Sequence, residues 1–137
     1  MDSINTRKRL EADLEEIKRM IFRMGRMSSD SLEKAVWALK NRDVAAAKEV
    51  LEADDLIDDL EDMIDNGCME FAARYQPLGE DLRVITSMMH MAVDLERIGD
   101  YGGNIAKVAI ELASKEPIKP LIDIPHMVEK IKRMMDA

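Results

Sequence analysis

The 137 residues hold a single cysteine, Cys68, which excludes an intrachain disulfide framework and any thiolate metal cage and suits a reduced compartment. Aromatics are scarce, at one Trp, two Tyr and two Phe, and the four prolines are confined to Pro77, Pro117, Pro120 and Pro125. Met, Leu, Ile, Val and Ala therefore supply the apolar mass, which is the composition of an all-helical protein. Positive charge is in deficit: the formal net charge is −8, against the clustered Lys and Arg that nucleic acid or an anionic lipid surface requires. No apolar run approaches the roughly 20 residues of a membrane span. The segment Met1–Leu14 is charged from Arg7 onward and has no apolar stretch of the kind a signal peptide carries. These absences place the chain in the cytoplasm as one domain, with no direct membrane insertion.

What is present is a long-period helical pattern. From Ile4 to Lys40, Leu10, Leu14, Ile17, Ile21, Met24, Ser28, Ser31, Ala35 and Ala38 recur at alternating intervals of four and three, the seam of a helix bundle. The Ser and Ala half of this seam allows close approach of a neighbour, and Gly25 is a point where the helix could bend. Asp43 is a good N-cap for a second helix ending near Tyr75, whose seam is Ala46, Val50, Ala53, Ile57, Leu60, Ile64, Gly67 and Phe71. Pro77 and Gly79 make a turn, and Glu80 and Asp81 open a third helix that runs to about Ser114. Two prolines mark Lys115–Pro120 as a linker, after which a fourth helix starts near Ile124 or Pro125 with Asp123 as its cap. The expected division is a bundle over 1–114, a linker over 115–120 and a fourth helix over 121–137. Helices of roughly 30 to 37 residues are about 45 to 55 Å long. Short links make neighbours antiparallel, so the expected body is an elongated up-down-up three-helix bundle with the fourth helix packed on it or on another molecule.

The chemistry of this chain is carboxylate. Glu96 and Asp100 stand one helical turn apart, and the row Ile85, Met89, Ala92, Glu96, Gly99, Gly103, Ala106, Ile110 is otherwise apolar or glycine, which puts Glu96 on a packed face. A buried carboxylate protonates, pairs with a cation or binds a metal. Gly99, Gly102 and Gly103 each cost about 1 kcal/mol relative to Ala in a helix, and close approach of a neighbouring backbone is the usual compensation. The second helix carries Asp54, Asp55, Asp58, Asp59, Glu61, Asp62 and Asp65 without an intervening base, and Asp54, Asp58, Glu61 and Asp65 form a row beside its seam. In an antiparallel pair turning near residue 76 or 77, residues whose numbers sum to about 153 share a height; Asp58 with Glu96, and Asp54 with Asp100, each sum to 154. Four oxygen ligands from facing helices suit a hard cation or iron. An internal ion pair with Arg97 or Arg26 is the leading alternative, and a metal-free structural bundle is another.

Neither His90 nor His126 follows a Glu at three residues' distance, so the Glu-x-x-His signature of redox-active di-iron bundles is absent. No glycine-rich phosphate loop and no nucleophile–base set stands out, so the chain is expected not to be an enzyme.

Gln76-Pro77-Leu78-Gly79-Glu80-Asp81-Leu82-Arg83, Asp94-Leu95-Glu96-Arg97-Ile98-Gly99-Asp100 and Asn104-Ile105-Ala106 together resemble the PhoU family of phosphate-uptake regulators. The resemblance extends more loosely over Leu14 to Gly25 and Asp54 to Leu60. It implies a three-helix repeat whose E(D)xxxD motifs, here Asp54 with Asp58 and Glu96 with Asp100, bind multinuclear iron or zinc clusters on the bundle surface. Magnesium and calcium rank behind these metals. It also implies a non-catalytic adaptor that links a phosphate ABC transporter to a sensor histidine kinase at the inner face of the membrane, while the wide apolar face of the third helix and the lone fourth helix leave surface for a partner, so that a homo-oligomer, with a homodimer as its form, is expected. Family members usually contain two repeats, whereas this chain has one and what looks like the first helix of a second. The alternative reading is a PhoU-like regulatory bundle of a potassium or other ion transport system.

Overall fold

A computed structural model describes residues 3–113, 115 and 123–136, the side chains of 123–127 excepted. Among the described residues four helices follow one another: α1 (Ser3–Asn41), α2 (Val44–Tyr75), α3 (Glu80–Leu112) and α4 (Asp123–Asp136). The first three form the antiparallel bundle expected from the seam residues. Lys34 on α1 pairs with Glu49 on α2, and Asp13 near the start of α1 meets Arg74 and Tyr75 at the end of α2. α3 returns parallel to α1, since Arg7 bonds Asp81 and Gly25 lies against Leu95. The expected linker at Lys115–Pro120 lies, apart from Lys115, outside the described residues, as does the side chain of Asp123.

Local chemistry sets the helix ends. Asp43 caps α2 as expected, its carboxylate accepting from the Ala46 N–H at 3.1 Å. α2 stops where Gln76 turns left-handed (φ 45°) and its N–H bonds the Ala72 carbonyl at 3.0 Å, and Gly79 (φ 58°) then turns the chain into α3. Gly79 supplies a φ that most side chains avoid. α1 continues unbroken through Gly25; the space a side chain would take there is bordered by Leu95 of α3 and Met135 of α4.

The core changes character along the bundle. Toward the α2–α3 turn it is built of large side chains, among them Ile17, Met24, Ile57, Ile64, Phe71 and Met88. Toward the α1–α2 turn it is mostly alanine, from Ala35 and Ala38 on α1 through Ala46 and Ala47 on α2 to Ala106 and Ala109 on α3. The α1 backbone comes close to α3 at Gly102, where a Cβ would stand 3.3 Å from the Leu32 nitrogen and 3.4 Å from the Leu32 Cα. α4 packs on α1, running antiparallel to it: Val128 joins Leu32 and Val36, Lys132 bonds Glu33 at 2.6 Å, and Met135 reaches Gly25. No helix among the described residues is long and apolar enough to cross a membrane.

Candidate metal centre

Asp54 and Asp58 project from one side of α2 because they are a turn apart, and the register of the α2–α3 hairpin brings Asp100 of α3 to the same height. The three carboxylates offer oxygen atoms that all lie within 4.8 Å of one another. Asp54 is half-buried and Asp58 exposed, so the cluster opens on the groove between α2 and α3. Glu96 stands one turn before Asp100 on α3, and its proton affinity responds to Asp100 and Asp58. Of the four residues expected at the site, three converge and the fourth lies within the field of the other acids.

Glu96 is half-buried, with buried Ala92 and Gly99 on either side of it in its row, and the charges that act on it are those of Asp100, Glu61 and Asp58. Helical periodicity assigns a direction to a side chain but not a depth. The ion pair with Arg26 or Arg97 is absent among the described residues: both arginines are exposed, and neither bridges to the cluster. The base whose field reaches Asp54 is Lys107 on α3.

Crowding of like charges shows in the proton affinities. Loss of hydration, followed by the charges of Asp58 and Asp100, raises the Asp54 carboxyl above its ordinary value. Asp58 and Glu61 are raised in the same way, by desolvation first and by neighbouring carboxylates second. Glu96 is raised furthest, to about 7: desolvation leads, then its hydrogen bond to Asp100, then the surrounding negative charge. These are acids held close together without enough local positive charge, a state that a proton or a cation relieves.

Asp54 has the most unusual seat. Its Oδ1 is buried and has no hydrogen-bond partner. Gly99 and Gly103, one turn apart on α3, leave bare backbone on either side of the carboxylate: a Cβ at Gly99 would lie 3.5 Å from Oδ1, and a Cβ at Gly103 would lie 3.5 Å from Oδ2. Close backbone approach thus accounts for Gly102 alone; at Gly99 a Cβ would press on Ile57, and at Gly103 it would meet Asp54 at ordinary contact distance. An orphaned buried oxygen, an all-oxygen donor set and glycine backbone beside it on α3 together fit a hard or borderline divalent cation. Glu61, in the row beside the α2 seam, belongs to the same field. Its row is legible in the sequence, but the height rule, which pairs residues one to one, passes over it.

Other reactive groups stand apart. His90 is exposed, and the side chain of His126 lies outside the described residues. Cys68 is buried, and desolvation pushes its thiol up to about 11, which removes it as a nucleophile or ligand near neutrality.

Fold and cluster define the class: an all-α, up-down-up bundle that displays carboxylates along the groove between its second and third helices. The chain belongs to the PhoU family, the PhoU domain matching residues 21–109. It is similar to the phosphate-specific transport system accessory protein PhoU homolog of Aquifex aeolicus, 40% identical over 128 residues covering 93% of this chain and 58% of the relative. The accessory protein PhoU of Escherichia coli is 32% identical over 145 residues, covering 100% of this chain and 60% of the relative. The crystal structure of PhoU from Pseudomonas aeruginosa superposes with a TM-score of 0.86 at 34% identity, over 92% of this chain and 61% of that one. The chain therefore spans about three fifths of the length of these relatives.

Proposed function

We propose that this chain is a non-enzymatic regulatory module of phosphate uptake that holds a metal ion through Asp54, Asp58 and Asp100, with Glu96 as a further ligand, and acts by protein contact. The observation that carries the metal reading is the buried, unpartnered Oδ1 of Asp54 within a convergent set of carboxylates. An uncompensated buried oxygen of this kind costs roughly 1–3 kcal/mol, more where it carries charge, and a bound cation offsets that cost. Iron or zinc is the proposed ion, singly or as a cluster that draws in Glu96; magnesium and calcium use the same donor type. The regulatory half of the proposal rests on kinship with accessory proteins of phosphate-specific transport. In this reading the module works on the cytoplasmic side as a homo-oligomer, with a phosphate transporter and a sensor kinase as partners.

The test compares untagged wild-type chain with Asp54→Asn/Asp100→Asn after loading with Fe(II) or Zn(II) and exhaustive dialysis. Elemental analysis is expected to find at least about one ion per wild-type chain and a marked loss in the variant, since two of the three convergent ligands are gone. Equal metal content in the two proteins would sink the site.

A further inference from the structure

Gly103 is a glycine that packing does not require. A Cβ built there would touch the Asp54 Oδ2 at 3.5 Å, the Asp54 Cγ at 3.8 Å and the Leu51 Cδ2 at 3.9 Å, all ordinary contact distances. Gly102 differs, because its Cβ would press on the α1 backbone, and Gly99 differs because its Cβ would stand 3.3 Å from two carbons of Ile57. An alanine at 103 would fit with nothing displaced and would favour the helix. What it would take away is the bare space along one side of the Asp54 carboxylate.

We infer that Gly103 is a positioning residue for the proposed ion: a methyl group there would stand against the Asp54 Oδ2, and its absence leaves that oxygen free to meet the ion. Asp54 then serves as the fixed ligand, held between α2 and the bare stretch of α3, while Asp58 and Asp100 close on the ion from the groove. The inference rests on the metal reading and adds that the missing side chain at Gly103, as well as the carboxylates, sets affinity.

The experiment uses calorimetric titration of Zn(II) or anaerobic Fe(II) into wild type, Gly103→Ala and Gly25→Ala, together with melting of each protein in chelator. Gly25 is the control, since it is also helical, has room for a methyl group with its nearest contact at 3.8 Å, and lies on α1 facing Leu95 and Met135. Both variants are expected to melt about 4 °C higher than wild type without metal. Gly103→Ala alone is expected to bind the ion on the order of 10- to 100-fold more weakly. Undiminished affinity in Gly103→Ala beside a wild type that binds would overturn this inference and leave the metal reading standing. Loss of affinity together with a lower metal-free melting temperature would also overturn it, because packing would then be what demands glycine. A wild type that binds no ion would overturn both.

Discussion

Gly102 and Gly103 are neighbours in sequence and face different helices. Gly102 lets the α1 backbone approach to 3.3 Å of where its Cβ would stand, and Gly103 leaves a carboxylate of α2 beside bare backbone. The α1–α3 contact is a packing contact, in which a glycine's conformational cost is offset by the dispersion gained as two backbones close. The α2–α3 contact is a polar one, in which the space is left beside charge. The difference separates glycines that build the bundle from one that serves its site, although both types look alike in a helical pattern.

The comparison breaks most visibly at Gly102. Gly102→Ala is expected to destabilise the metal-free chain by about 2 kcal/mol, because the added methyl group meets backbone rather than a side chain that can turn away. Urea unfolding followed by far-ultraviolet circular dichroism reads this directly, and a variant as stable as wild type would remove the distinction from Gly103. Among the described residues, the two buried side-chain oxygens without hydrogen-bond partners sharpen it further. Ser28 Oγ lies on α1 in the closed core, whereas Asp54 Oδ1 lies in the acidic groove. Ser28→Ala is expected to stabilise by about 1 kcal/mol by removing an unsatisfied hydroxyl, with metal content unchanged in elemental analysis.

A third contrast is a pH dependence confined to the groove. Glu96 holds its proton up to about 7 in the folded chain, against 4.5 ordinarily. The folded state therefore binds more protons than the unfolded state between these values, and stability falls as pH rises through that window. Glu96→Gln removes this contribution: metal-free melting temperatures of variant and wild type should coincide near pH 4.5 and diverge in the variant's favour above pH 7. A constant difference across the range would show that Glu96 does not titrate there.

Much of the fold is legible in the residues. The four-three recurrence of apolar and small residues locates the long helices, Asp43 reads as a cap, and the hairpin sum places Asp54 level with Asp100. Depth is not legible. Glu96 lies in an apolar row between buried Ala92 and Gly99, yet it is itself half-buried, which the period alone does not reveal. The purposes of Gly99 and Gly103 are hidden for a related reason: a missing side chain gives no sign of what fills its place. Glu61 is visible as one of a row, and only the assembled hairpin shows it acting on Glu96.

The turn between α2 and α3 sets a length as well as a direction. Left-handed Gln76, Gly79 at φ 58° and the Arg7–Asp81 bond fix where α3 begins relative to the end of α2. Asp54, Asp58 and Asp100 lie several helical turns away, yet each depends on that starting point. Adding a residue at the start of α3 would rotate every later side chain by about 100° and send Asp100 away from Asp54. The turn is thus the ruler of the cluster, and its length is as much a part of the site as the carboxylates it aligns.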